Sequence, residues 1–345
     1  MANVLDIRRR IRSVKSTMQI TKAMKVVSAA KLRRAQERAM AARPYAQMLT
    51  NVLRSLVNRA EVYDATTGEA VHPLLEQREE ETILVLVVTG DRGLAGAFNS
   101  NIIKAAQRFL DSKKDVDIDL EFVGRKGRDF FKRRYPIGDP SKGSRAGRIQ
   151  ITGDHQGFLA KPTFVQINEV AESVISRYTH RHIDAVYLLF NEFKSVIAQR
   201  LVVEEVLPIR QIGERDVQQA EELDKTQKER LGGAAKSAGV SVHEADTTEI
   251  DRKAAQFGAA EVDYIYEQPP AELFRRLLPK YVAVQFYRAV MESVASEHAA
   301  RMTAMDSATN NATDMVDSLT LSMNRARQAA ITKEIIEIVS GAAAL

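Results

Sequence analysis

The residues of this chain with the most suggestive spacing are three glycines in the segment TGDRGLAGAFN, namely Gly90, Gly93 and Gly96. They follow a strand-like apolar run and precede a helical pattern, as in dinucleotide-binding turns. Their spacing is GxxGxxG, however, whereas the dinucleotide fingerprint is GxGxxG, and no acidic residue stands convincingly at the end of a following strand. No GxxxxGK[ST] phosphate-binding loop occurs in the sequence. The glycines therefore favour tight packing of a strand against a helix over a nucleotide site.

Metal-binding and nucleophilic residues give weaker signals. The six histidines are scattered, and the only close pair, His180 and His182, has Asp184 as its one nearby carboxylate. The sequence contains no cysteine, which excludes disulfides, thiolate nucleophiles and zinc ribbons. No serine lies in a GxSxG elbow, and no acid–base pair stands out. We expect no catalytic residue, no metal site and no cofactor, so the chain itself is not expected to be an enzyme.

Charge is distributed unevenly between the two ends of the chain. Residues 1–60 hold 14 Lys/Arg and two acidic residues, a net of +12, whereas residues 281–345 hold five Lys/Arg and seven Asp/Glu, a net of −2. A basic end suits nucleic acid, an anionic membrane surface or an acidic protein surface. One interpretation is therefore a basic coiled-coil protein that binds nucleic acid or a membrane surface. Against it, the sequence lacks aromatic platforms and recognised nucleic-acid modules.

The first sixty residues carry an apolar stripe at helical spacing. Thirteen of sixteen positions are apolar, which is typical of a coiled-coil seam. The polar exceptions are Thr21, Lys25 and Ser28. Pro44 is the one helix-breaking residue, and we expect it to kink or locally disrupt the helix near Met40. The positions of this seam are Val4, Ile7, Ile11, Val14, Met18, Thr21, Lys25, Ser28, Leu32, Ala35, Ala39, Ala42, Ala46, Leu49, Leu53 and Leu56.

The C-terminal segment repeats this pattern, with twelve apolar residues at sixteen positions from Val284 to Ile336 and polar ones at positions such as His298 and Arg301. Each helix must bury its stripe, and the difference in charge favours pairing with the other helix over self-pairing. Because the intervening domain returns the chain to its starting point, the helices at 1–60 and 271–345 are predicted to form a long antiparallel coiled coil. Alanine-rich stretches in both seams permit close helix approach and a slim rod.

Residues 78–210 are typical of an α/β domain, because strand-like runs alternate with helical segments, which predicts a mostly parallel, Rossmann-like sheet. Residues 211–262 are polar and predict an exposed insertion with a short helix over Asp216–Leu231. The expected strands are Thr82–Thr89, Asp117–Val123, Ile149–Ile151, Asp184–Phe190 and Arg200–Pro208, and the expected helices are Asn99–Ser112, Gly127–Arg134 and Phe164–Thr179.

The sequence offers no segment that would span or target a membrane. No run reaches the roughly 18 apolar residues that a bilayer requires. The first fifteen residues are Arg-rich and amphipathic, like a transit peptide, but Asp6 interrupts the basic run and the apolar period continues past residue 50. We interpret these residues as part of the N-terminal helix.

Three segments resemble the gamma subunit of bacterial F-type ATP synthases. The segment MANVLDIRRRIRSVKSTMQITKAMKVVSAAKLRRAQERAMAARPYA, with its core at Ile20–Gln36, is similar to the family's N-terminal signature. Asp91–Asn99 resembles the motif after the family's first strand, and Ser296–Leu345 is similar to its C-terminal helix. The insertion at 211–262 occupies the place of a dithiol regulatory segment in chloroplast relatives, and that redox switch cannot operate without cysteine.

This resemblance implies a central rotor shaft that turns inside a hexameric ring of alpha and beta subunits. The α/β domain would lie against the epsilon subunit and the membrane-embedded c-ring, with no nucleic-acid partner. ATP chemistry would take place on the beta subunits, and the insertion would touch a stator subunit or epsilon, or be a passive loop. The subunit would be peripheral, on the cytoplasmic face of the bacterial inner membrane, meeting the membrane only through the c-ring.

The resemblance also assigns partner contacts by matched position. The residues implied to contact the beta subunits are Lys22, Met24, Arg327, Gln328 and Thr332. The last residues, from Ser340 to Leu345, are implied to sit in an apolar bearing at the crown of the ring.

Overall fold

Two long helices dominate the computed structural model, which describes residues 4–59, 72–139, 145–242 and 267–343. Helix α1 is Val4–Arg59 and the C-terminal helix, here called α6, is Pro270–Ala343. With 56 and 74 residues, they measure roughly 84 and 110 Å at 1.5 Å per residue. Helix α1 continues without a break through Pro44, so the expected local disruption near Met40 is wrong, whereas the expected kink stays a prediction. Buried seam residues on both sides of the proline hold the flanking turns in place.

Helices α1 and α6 pair in antiparallel fashion. The Oγ1 atoms of Thr21 and Thr309 lie 2.8 Å apart, and Lys25 Nζ donates to Asp306 Oδ1 over 2.7 Å. Residue numbers therefore rise along α1 as they fall along α6, which confirms the predicted antiparallel shaft. Along α1 the predicted seam is the buried face, because a single apolar stripe must turn away from water. The buried apolar seam residues of α1 are Ile7, Ile11, Leu32, Ala35, Leu49, Leu53 and Leu56.

A six-stranded mixed sheet forms the centre of the α/β domain, which we call the foot. The strand order is β3-β2-β1-β4-β5-β6, in which the first four strands are parallel and the last two antiparallel. The expected mostly parallel, Rossmann-like sheet is confirmed in β3, β2, β1 and β4. Strands β5 and β6 extend the sheet through antiparallel pairing. The strands are β1 (Thr82–Val88), β2 (Asp117–Val123), β3 (Ile149–His155), β4 (Ala185–Phe193), β5 (Gln199–Leu207) and β6 (Asp216–Glu222). The helices of the foot are α2 (Phe98–Ser112), α3 (Arg125–Phe131) and α4 (Phe164–Thr179), after a 3-10 turn at Pro73–Leu75.

The sheet is covered on both faces, which explains why β1 is an unbroken apolar run. Leu84, Leu86 and Val88 belong to a core shared with the two shaft helices and α4. The alternate residues of β1 pack in a second core, with α2 and α3. The period of two thus sends successive side chains to opposite layers, and the foot is packed directly on the shaft.

The expected helix over Asp216–Leu231 is wrong in its first half. Residues 216–222 form β6, which pairs with the edge of β5. Without this strand, the backbone N–H and C=O groups along that edge of β5 would have no strand to pair with. Helix α5 (Lys225–Ser237) begins only after Asp224, which caps it by accepting from Gln227 N over 2.7 Å. Its buried side chains pack on the shaft, so this part of the expected exposed insertion is partly covered. The remainder of the expected insertion, 243–262, lies outside the described residues.

Three alanines of α1, Ala39, Ala42 and Ala46, line a cavity of about 550 Å³. Its other walls are residues of α6 and the foot, including Tyr281 and Glu292. The close helix approach that these alanines permit stays a prediction.

Candidate partner-contact surface

The structure places the sequence-predicted contact residues on the shaft at two separate levels. Lys22 is exposed and Met24 half-buried on α1, whereas Arg327, Gln328 and Thr332 are exposed on α6. Since Lys25 pairs with Asp306, the α1 group stands opposite the residues near 306. The α6 group lies about twenty residues farther along, roughly 30 Å at 1.5 Å per residue. The two groups are therefore two separate contact sites along the shaft. We call the level of Lys22 and Met24 the lower station and the level of Arg327, Gln328 and Thr332 the upper station.

The upper station belongs to an overhang of α6. The antiparallel register puts Val4 close to the level of Arg327, so residues 328–343 extend past the first described residue of α1, over roughly 24 Å. Every side chain described from 327 to 340 is exposed, including Ser340, while Leu345 lies outside the described residues. Five large apolar side chains are among them. Their exposed fractions are Ile331 49%, Ile335 55%, Ile336 58%, Ile338 71% and Val339 62%.

Such an apolar end requires a covering surface. A helix stabilised by packing buries its apolar face, and large exposed apolar patches mark interaction sites. The final turns of α6 expose these five apolar side chains beside charged ones such as Lys333 and Glu337. The overhang is therefore suited to contact with another protein.

The lower station lies beside the glycine-rich turn that contains Gly90, Gly93 and Gly96. Side-chain hydrogen bonds hold this turn within the foot. Gly90 N donates to Asn99 Oδ1 over 2.8 Å. Asp91 Oδ1 accepts from Arg125 N over 3.2 Å and from Gly157 N over 3.1 Å. Asp91 therefore joins three loops at the carboxyl ends of the strands, where a bound phosphate would meet its negative charge.

The same turn is fastened to α6. Arg301 donates to Glu297 Oε1 over 2.6 Å and to the Gly93 carbonyl over 3.4 Å. A Cβ added at Gly90 would lie 2.8 Å from Glu297 Oε1, and one at Gly96 would lie 3.7 Å from Ala304 Cβ. Gly90 thus allows close approach of the turn to the shaft helix.

A cavity of about 360 Å³ separates this turn from Met24 and Lys31 of α1. Burial raises the pKa of the Glu297 carboxyl, and Arg301 opposes that shift. Burial, together with Arg301 and Lys31, lowers the pKa of His298 to about 4. His298 is therefore neutral at physiological pH, and the cations that face it are Arg301 and Lys31. The arrangement holds foot and shaft together.

Sequence reasoning missed the Glu297–Arg301 pair as the joint between foot and shaft. The available signal was polarity at seam positions, because His298 and Arg301 interrupt an otherwise apolar stripe. The polar seam residues of α1 carry the same signal, since Lys25 meets Asp306 there. Both interruptions mark places where a third element meets the helix pair.

The histidine pair shows no metal geometry. His180 and His182 are exposed with ring centroids 6.1 Å apart, and the Nδ1 of His180 donates to the Ser176 carbonyl over 2.7 Å. In the described parts of the chain, no group of three or more His, Asp or Glu is arranged to hold a metal ion. Nor does any helix in those parts have the length and apolar character to cross a bilayer.

Comparison with known proteins gives matches over the whole chain. A family profile described as ATP synthase matches residues 3–345. The ATP synthase gamma chain of Solibacter usitatus is 47% identical over 344 residues, covering 100% of this chain and 99% of that protein. The ATP synthase gamma chain of Anaeromyxobacter sp. (strain K) is 43% identical over 347 residues, covering 100% of both.

A solved structure shows that the fold recurs. A chain of the Euglena gracilis mitochondrial ATP synthase superposes with a TM-score of 0.55 at 19% identity, covering 99% of this chain and 94% of the other. At that identity the likeness concerns the fold alone, whereas the bacterial relatives share close to half of their residues over full length. This chain belongs to the ATP synthase gamma chain family.

Proposed function

We propose that this chain is the central rotor shaft of an F-type ATP synthase. It couples ion-driven rotation of the c-ring to ATP synthesis or hydrolysis on the surrounding beta subunits and performs no catalysis itself. Its partners are the alpha and beta subunits, the epsilon subunit and the c-ring. It works on the cytoplasmic face of the bacterial inner membrane, peripherally, and meets the membrane only through the c-ring.

The observation that carries this proposal is the exposed overhang of α6 on a rod two helices thick. A stiff paired rod transmits torque along its length, and an unpaired apolar end fits a bearing formed by other subunits. Contact stations about 30 Å apart along one rod let a single rotation act on a ring at two heights. Different faces of such a rod favour different conformations of its neighbours, which is energetic coupling in the linkage sense.

The electrostatics of α1 support the same function. Arg8, Arg9, Arg10 and Arg12 are exposed on its outer surface, as is Lys22. A basic rod surface suits acidic loops of a surrounding ring, since charge complementarity gives orientation and specificity. The alternative, a coiled-coil protein that binds nucleic acid or a membrane surface, has no support from the comparisons. It also leaves unexplained why α1 is paired along its length with α6.

Charge reversal at the upper station tests the proposal. In the assembled complex, Arg327→Glu should reduce coupled ATP synthesis by about tenfold, as the loss of one charged contact of about 1.4 kcal/mol would. The melting temperature of the purified chain should stay unchanged, because Arg327 is exposed. Arg325→Glu is the matched control, with the same charge change on an exposed side chain of the same helix. Normal coupled synthesis in Arg327→Glu would exclude a contact role for this residue.

A further inference from the structure

The shaft seam is thinly packed over the lower station. Within α1, which is described throughout, Ile11 and Ala29 are buried, but no apolar side chain between them is. The seam residues that are buried there, Thr21 and Ser28, are polar. Because hydrophobic stabilisation scales with the apolar area removed from water, the two helices gain little from burial over this stretch.

Polar contacts hold α1 to α6 in this stretch. Thr21 and Thr309 share a hydrogen bond of 2.8 Å. The ion pair of Lys25 and Asp306 spans 2.7 Å, with side chains 15% and 19% exposed. Partly shielded ion pairs of this kind fix geometry more than they add stability. A third element is needed to shield the pair.

Helix α5 supplies that element. After its capped start, it turns one apolar face to the shaft, and the chain beyond it adds one more buried residue. These side chains lie in the same core as Leu32 of α1 and Ala299 of α6. The buried residues of this segment are Leu231, Ala234, Ala235 and Val240.

The end of α5 joins the polar contacts directly. Lys25 Nζ donates to Ser237 Oγ over 2.8 Å, and that oxygen lies 3.3 Å from Asp306 Oδ1. Two residues on, the Gly239 carbonyl accepts from the Arg33 guanidinium, at a backbone φ of +66° that favours glycine. The segment thus contacts α1 at Lys25 and Arg33 and α6 at Asp306.

We propose that residues 225–240 form a brace that holds α1 against α6 and thereby positions Lys22 and Met24. Lys22 lies one turn before Lys25 on α1 and Met24 immediately before it, so any separation of the helices at Lys25 displaces both. The residues of the brace are positioning residues that need not touch a partner themselves. The inference rests on the proposed function, since it gives the brace a role in the lower station of the rotor. Contact of the insertion with a stator subunit or epsilon stays a separate prediction.

The test compares two aspartates on α5 in the full assembled complex. Ala235→Asp places a charge on the buried face, whereas Gly233→Asp, the matched control, places it where a Cβ meets nothing within 4 Å. Hydrogen exchange of backbone amides 13–28 of α1 should become about tenfold faster in Ala235→Asp than in the control, because local opening becomes easier. The ratio of ion-driven ATP synthesis to ATP hydrolysis should fall in parallel.

A second variant replaces residues 225–240 with a Gly-Ser linker and leaves β6 intact. If the backbone amides of α5 stay protected from exchange in Ala235→Asp, that substitution has not displaced the helix, and the linker variant decides the outcome. Unchanged exchange at 13–28 in the linker variant would overturn the brace. Faster exchange with an unchanged synthesis-to-hydrolysis ratio would overturn the positioning role alone. Neither result bears on the rotor proposal, which the Arg327→Glu experiment tests at a different station.

Discussion

At the scale of single residues, the fold changes the pKa of Glu292 in a way that an experiment on pH dependence can measure. It lines the 550 Å³ cavity between α1 and α6. Burial raises its pKa to about 7, and Arg288 and Arg215 oppose that shift while Glu192 and Glu204 reinforce it. Arg288 Nε lies 3.9 Å from Glu292 Oε1. The other oxygen, Oε2, has no hydrogen-bond partner within the described residues.

This protonation makes stability depend on pH. The folded chain keeps the Glu292 proton up to about pH 7, whereas a carboxyl with the ordinary pKa of 4.5 has lost it. Folded protein therefore binds more protons than unfolded protein between these values, and its stability falls as the pH rises through them. Glu292→Gln should remove this loss and raise the free energy of unfolding at pH 8 by about 3 kcal/mol.

Urea unfolding of the purified chain at pH 5 and pH 8 measures this effect. The gain from Glu292→Gln should be largest at pH 8 and fall to about a quarter of that value at pH 5. Glu334→Gln, an exposed residue of the same helix, is the control and should have no effect at either pH. An equal gain at both pH values would show that packing rather than protonation is responsible.

At the scale of elements, the joint between the glycine-rich turn and α6 is held by close contact. Gly90→Ala would bring a methyl group to 2.8 Å from Glu297 Oε1 and 3.2 Å from Asn99 Oδ1. Glu297 is buried and bonded to Arg301, so it cannot move aside without losing that bond. We expect a loss of about 2 kcal/mol in the free energy of unfolding.

The neighbouring glycine provides the comparison. Gly93→Ala adds the same methyl group in the same turn, but nothing lies within 4 Å of its position. Its free energy of unfolding in urea should therefore stay within about 0.5 kcal/mol of the parent chain. Equal destabilisation by both substitutions would mean that contact with α6 does not decide the outcome.

At the scale of the whole molecule, the shaft is supported unevenly along its length. The N-terminal part of α6 packs on the foot, and the middle part packs on α1 and α5. The overhang of α6 packs on nothing within the described residues. Hydrogen exchange should therefore be fast for residues 328–343 in the isolated chain and slow once the complex is assembled. Strand β1, buried on both faces, is the internal reference and should be slow in both. An overhang that stays fast in the complex would contradict the bearing contact.

Local patterns in the sequence determined much of this architecture. The stripe of α1 predicted which face is buried, because a helix repeats every 3.6 residues whatever its partner. The apolar run of β1 predicted a strand covered on both sides, and the spacing of Gly90, Gly93 and Gly96 favoured packing over nucleotide binding. These features depend on neighbours a few residues apart, so a single sequence reveals them.

Contacts between distant segments were decided only by the tertiary structure. Residues 216–222 became a strand because β5 offered an edge, and α5 found its place against Lys25 and Asp306. The length of the overhang depends on the register of two helices whose paired residues lie almost 290 positions apart in sequence. The raised pKa of Glu292 depends on what buries it. In each case the free energy comes from surfaces that meet only after folding, and no local pattern records which surfaces those are.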